Sequence, residues 1–215
     1  VNAAAIPMEG FTTSQEIPLR RAKVTLVSND EDAQLMLAYA RGDMRAFETL
    51  YSRHRAALYR YLMRQARDPD IANDLFQEVW SRVVTNRARY EPRAKFSTFL
   101  FTLGHNCFID HCRRARARPA GMGIDDADAA DLLAADERIS PDRELERSED
   151  KQRYRAALDS LPAEQRDVYL LHEESDLSLE EIARVTGVGA ETAKSRLRYA
   201  VNKLKAAMSL AEDLA

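Results

Sequence analysis

Four side chains able to ligate a metal fall between residues 105 and 112: His105, Cys107, His111 and Cys112. Cys107 and His111 stand at i, i+4 on a helix and could share an ion. His105 and Cys112, at i, i+7, fall on a different face. One helix cannot wrap all four around a tetrahedral ion, so neither a metal centre nor any cofactor is expected. The two cysteines are five apart, which on a helix turns them about 140° from each other. They should stay reduced, as suits a cytoplasmic protein. The chain offers no nucleophile–base constellation and no glycine loop to cradle phosphates. Its distinctive residues are cations interleaved with hydroxyls and aromatics, above all Thr192, Lys194, Ser195, Arg196, Arg198 and Tyr199. Their chemistry is non-covalent: cations for phosphates, hydroxyls and guanidinium groups for base edges.

Two short helices should position that cluster. Ser178 and Glu181 have the spacing of a capping box. Leu179, Ile182 and Ala183 share a face of the helix that follows. Gly187 suits the left-handed conformation of a tight turn. Ala193, Leu197, Ala200 and Leu204 then recur at i, i+4, i+7, i+11, the buried stripe of a second helix. Two helices about such a turn, the second rich in cations, read as a DNA-binding helix-turn-helix. The competing reading is a packing corner with a solvated charged face.

Charge divides the rest of the chain. The net charge of −3 over 215 residues hides a strong asymmetry. Residues 31–118 hold 16 cations against 10 carboxylates, residues 119–150 hold 3 against 11, and residues 151–215 hold 10 against 11. Strand-like alternation is nearly absent and glycines number only 7. The expectation is an all-α protein of two small helical domains, residues 30–118 and 151–215. A flexible acidic linker, 119–150, joins them, and a flexible tail, 1–29, precedes them. No apolar run reaches the roughly 18 residues of a membrane span.

In the first domain a short helix covers residues 31–41. Asp43 can cap a second helix running to about Arg67, and Asp68-Pro69 has the cap-then-proline order of a third start. On the third helix Ile71, Leu75, Phe76, Val79, Trp80 and Val83 form a broad apolar face. Asp74, Gln77 and Glu78 lie opposite, either as solvated surface or as a docking edge for a basic partner. A loop at 87–95, with Arg93 and Lys95, opens into a long helix from Phe96 through Ser97, Phe99 and Asn106 to Arg113 and Arg114. Aromatics beside cations suit unstacked bases and phosphates; the plainer reading is core aromatics and a basic helix end.

Two segments together resemble a known family. LDSLPAEQRDVYLLHEESDLSLEEIARVTGVGAETAKSRL is similar to domain four of sigma-70 transcription initiation factors. NDLFQEVWSRVV followed by KFSTFLFTLGHNCFIDHCRR is similar to their domain two. The order, the spacing and the lack of a third domain resemble the extracytoplasmic-function (ECF) group over about residues 31–210. The resemblance implies a sigma factor that binds core RNA polymerase and reads the minus-35 and minus-10 promoter elements. Asp74, Phe76, Gln77, Glu78 and Trp80 would dock on the β′ clamp helices, with a further contact at the β flap. Arg93, Lys95, Phe96, Ser97, Phe99, Asn106, Arg113 and Arg114 would meet minus-10 DNA and trap a flipped base. Thr192, Lys194, Ser195, Arg196, Arg198 and Tyr199 would read minus-35 DNA. An anti-sigma factor is the implied regulator, and the acidic linker would lie on the path of nascent RNA. The sequence departs from the family's pattern at Ile71, Asn73, Phe99, Ala193 and Tyr199-Ala200, so a relative's promoter cannot be transferred. A free-standing helix-turn-helix regulator and a two-domain protein adaptor are the alternatives.

Overall fold

The computed structural model describes residues 30–117 and 151–212; the expected tail and linker lie outside them. Among these residues the fold is all-α, with no strand. The first domain holds α1 (Glu31–Ala40), α2 (Met44–Ala66), α3 (Pro69–Asn86), a 3-10 turn (Arg87–Arg89) and α4 (Phe96–Ala117). The second holds α5 (helical over residues 151–159), α6 (Ala163–Ser175), α7 (Leu179–Thr186) and α8 (Ala190–Glu212).

Aspartates start the first three helices. Asp30 Oδ1 accepts from the Asp32 amide, Asp43 Oδ1 from those of Arg45 and Ala46, and Asp68 Oδ1 from those of Asp70 and Ile71. Each satisfies amides that the helix itself leaves orphaned. Pro69 takes the first turn of α3, where no amide is required. Asp30 has a second task. Its Oδ2 accepts from the Phe96 amide at 2.6 Å, so one carboxylate joins the starts of α1 and α4.

The first core gathers Met36 and Tyr39 of α1, Leu50, Leu58, Tyr61 and Leu62 of α2, Leu75, Val79, Trp80 and Val83 of α3, and Phe96, Leu100, Phe101 and Cys107 of α4. Helix α4 lies close against α2 at Gly104. A Cβ there would stand 3.1 Å from Leu58 Cδ1 and 3.7 Å from Tyr61 Cε1. Gly104→Leu should therefore force the two helices apart and cost about 2 kcal/mol. Trp80 is the only tryptophan, so a denaturant titration followed by its fluorescence measures the loss; an unchanged midpoint would refute the close approach.

The second core is built from Leu158, Leu161, Val168, Leu170, Leu171, Leu177, Ile182, Val185, Ala200 and Leu204. The capping box forms: Glu181 N donates to Ser178 Oγ, and Ser178 N donates to Glu181 Oε2. Gly187 ends α7 at φ 69°, and the amides of Gly187 and Val188 both donate to the Ala183 carbonyl. After that turn α8 packs against α6 and α7, with Ala193, Ala200 and Leu204 buried.

The two domains are not held apart. Helix α6 packs on α2, and α7 packs on α4, so the apolar cores are continuous. Leu170 and Leu171 are both fully buried, although adjacent helix positions point about 100° apart.

Candidate nucleic-acid interface

The cation-rich face of α8 is open. Thr192, Lys194, Arg198 and Tyr199 are exposed, and Ser195 is half-buried. Tyr199 is 55% exposed, unusual for so large an apolar ring, and the Arg198 guanidinium lies 5.3 Å from its centre. A cation resting on an aromatic face is pre-oriented at little cost. Arg196 differs. It is half-buried and turns back to Glu164, 3.6 Å away. Lys203, on the same helix, donates to the Ser160 carbonyl at 2.6 Å and fastens the turn before α6.

On α3, Asp74 and Gln77 are exposed and Glu78 is half-buried. Glu78 accepts from Arg82 at 2.5 Å and stands 3.7 Å from Arg114. The acidic edge and the basic end of α4 thus meet across a groove of about 300 Å³ lined by Ile71, Asp74, Leu75, Glu78, His111 and Arg114. Phe76 is half-buried and meets Tyr51, Tyr59 and Trp80 edge-on. Trp80 lies on the apolar face expected of it. It is 6% exposed and enclosed by Phe47, Tyr51 and Phe76, so its ring supports the edge from behind.

The residues expected at minus-10 DNA separate into layers. Arg93, Lys95, Arg113 and Arg114 are exposed; Ser97, Phe99 and Asn106 are half-buried. Arg93 pairs with Glu91 at 2.6 Å, and Arg113 with Asp110 at 3.7 Å. Phe99 meets Tyr90 at 5.2 Å between ring centres. Phe96 is fully buried between Tyr90, Phe99 and His54, so in this arrangement it holds the loop and cannot itself touch a base. Burial pushes the Tyr90 hydroxyl well above its ordinary range, and Asp30 and Asp32 push it further.

The four residues with metal-ligand chemistry face different neighbours. Cys107 is buried in the core, where desolvation raises its thiol to about 11 and leaves it unreactive. His105 Nδ1 stands 3.0 Å from Asp167 of the second domain. His111 lines the α3–α4 groove, and Cys112 faces a second groove with Phe108.

One set of polar residues was missed from sequence. Carboxylates of the second domain meet donors of the first. Asp159 meets Arg67, Glu174 meets Arg60 and Arg64, and Glu181 meets Lys95 and Thr98. Asp167 meets Tyr61, Gln65 and His105. The one hint in the sequence is the breadth of the apolar face on α6, wider than one small domain needs. Glu181 shows the balance of forces. Burial raises its carboxyl, but the Ser178 amide and the Lys95 ammonium outweigh that and leave it below its ordinary value.

The geometry shows paired helical domains, one with an open helix-turn-helix face. Family models for Sigma-70 region 2 and Sigma-70, region 4 match residues 50–118 and 151–204. The chain is 28% identical over 194 residues to the ECF RNA polymerase sigma factor SigK of Mycolicibacterium vanbaalenii, covering 88% of this chain and 95% of SigK. It is 33% identical over 146 residues to the ECF RNA polymerase sigma factor EcfG of Rhodopseudomonas palustris, covering 67% of this chain and 76% of EcfG. Among solved structures, the sigma factor RpoE in its complex with the anti-sigma factor NepR from Bartonella quintana matches with a TM-score of 0.56. That match covers 76% of this chain and 96% of RpoE at 23% identity, a likeness of fold. The protein is thus of the sigma-70 class of transcription initiation factors. Within that class the chain belongs to the ECF group and is an RNA polymerase sigma factor that directs transcription initiation.

Proposed function

We propose that each domain reads one promoter element and that only α3 carries the main polymerase contact. Residues 151–215 act as the minus-35 reader, through Thr192, Lys194, Ser195, Arg198 and Tyr199 of α8. Residues 30–118 act as the minus-10 reader. There Arg93, Lys95, Arg113 and Arg114 meet phosphates, while Ser97, Phe99 and Asn106 flank the extruded base. Asp74, Gln77, Glu78 and the edge of Phe76 dock on the β′ clamp helices, and the second domain meets the β flap. The observation that carries this reading is the pairing of an open cationic face on α8 with an acidic edge on α3 in one chain. Steric sense supports it, because a recognition helix needs a free face to enter the major groove.

The factor does no covalent chemistry and needs no cofactor. It works in the cytoplasm, where polymerase and promoter are; among the described residues no helix is long and apolar enough to cross a membrane. A regulator of the anti-sigma type fits, since RpoE of Bartonella quintana is held by one. Transcription of a genomic promoter library with core polymerase plus this chain tests the reading. Transcripts starting at a fixed distance from two shared sequence elements support it. Tight promoter protection by the chain alone, with nothing added by core polymerase, would point to a free-standing regulator instead.

A further inference from the structure

Helix α8 turns a mixed strip outward. At about 100° per residue, buried Ala193, Ala200 and Leu204 set its inner side, and Glu191, Ser195 and Asn202 fall within about 20° of the opposite direction. Glu191 and Asn202 are exposed, and Ser195 is half-buried. The cations lie to either side. Lys194, Arg198 and Lys205 are exposed along one flank. On the other, Arg196 turns back to Glu164 at 3.6 Å and Lys203 donates to the Ser160 carbonyl at 2.6 Å. The helix is thus sorted across its width. An outward strip can meet base edges, and one flank of exposed cations can meet phosphates.

The strip carries a carboxylate, Glu191, in the first turn of the helix, and among the described residues no cation pairs with it. A helix dipole favours an acid anywhere in its first turn, so it does not select the side that faces DNA. On that side a carboxylate is repelled by phosphates and needs a donor to offset the cost. Recognition helices bring their N-terminal residues to base edges. In the major groove the donors are the amino groups of cytosine and adenine. Cytosine fits an anion better. Its edge presents the N4 amino group alone, whereas adenine sets the N7 acceptor beside its own amino group.

We propose that Glu191 is a specificity-determining residue of the minus-35 reader and accepts from the N4 amino group of a cytosine in the major groove. The inference rests on the minus-35 reading above and names the base that one side chain selects. Over cytosine the carboxylate gains a charge-assisted hydrogen bond. Over thymine it meets the O4 acceptor, and over guanine the N7 and O6 acceptors, and the same charge is repelled. Lys194 and Arg198 supply attraction to the duplex, and Glu191 supplies the penalty on wrong bases that makes the attraction selective.

Selection from a randomised element tests this. A promoter recovered from the genomic library, with its minus-35 element randomised, is transcribed by core polymerase with the full chain. One position should favour cytosine, on one strand, roughly tenfold over thymine. Glu191→Ala should level that position and leave the others as they were. Glu191→Gln should move it towards adenine, whose N6 and N7 a carboxamide meets together. A helix-dipole role would instead lower the thermal midpoint of both variants and leave every base preference intact. An unchanged profile in both variants, or a responding position that selects an A·T pair in the unaltered chain, would overturn the proposal. Failure of the minus-35 reading shows separately, because the Lys194→Ala, Arg198→Ala variant would then keep its full minus-35 dependence.

Discussion

Alanine at both Lys194 and Arg198 should lower minus-35-dependent initiation by roughly thirty- to a hundredfold, the loss of about 2–3 kcal/mol of DNA contact. Both residues are exposed on α8, and among the described residues neither is held by a carboxylate in the way Arg196 is held by Glu164. Arg198 lies on the Tyr199 ring, so its removal also frees an aromatic side chain that is 55% exposed. Arg196→Ala should cost far less, because that guanidinium is already engaged. A promoter-library selection separates the contributions. Loss of a phosphate contact weakens all sequences alike, whereas loss of a base contact relaxes one position. Wild-type behaviour of the double variant would remove α8 from the minus-35 assignment.

Lysine at Asp74 and Glu78 should weaken binding to core polymerase by about a hundredfold, since like charges brought together at an interface cost several kcal/mol. The two positions differ in what else they disturb. Asp74 is exposed on the rim of the α3–α4 groove. Glu78 also anchors Arg82 and neighbours Arg114, so its reversal repels two cations of its own domain. Asp74→Lys alone is therefore the cleaner measurement, and it should account for at least a tenfold loss. Titration of labelled chain with core polymerase reads the effect, with duplex binding by α8 as the control that stays unchanged. Undiminished polymerase binding in the double variant would move the docking edge elsewhere. Trp80→Ala is no substitute for these variants, because that ring is part of the core and its loss lowers stability first.

Local signals made most helices legible. Asp43, Asp68 and Ser178 each start a helix as their types and positions imply, and Gly187 adopts the left-handed turn expected of it. The α8 stripe of Ala193, Ala200 and Leu204 is buried as its period requires. Trp80 and Phe96 are buried on the apolar faces that periodicity gives them, and the fold adds what covers each. Trp80 is covered by aromatics from α2, and Phe96 by the Tyr90 loop and His54. Least legible was the seam between the domains. Asp167 and Glu174 look like the solvated side of an amphipathic helix, and nothing local to either predicts Tyr61 or Arg60 more than a hundred residues away. Lys95 illustrates the same limit: its type suggested a phosphate, but only the fold supplies Glu181 beside it.

The double duty of Asp30 bears on how the first domain can be cut out and handled. The Sigma-70 region 2 match begins at residue 50, which suggests a natural place to truncate. A fragment starting there would lose α1, the Phe47 ring that stacks near Tyr39, Tyr51 and Trp80, and the carboxylate that closes the first turn of α4. Helix α4 would begin with a free Phe96 amide, and the contacts from Asp32 to Arg53 and His54 would be gone. A fragment that keeps these links must begin at least twenty residues before the family match, at or ahead of Asp30.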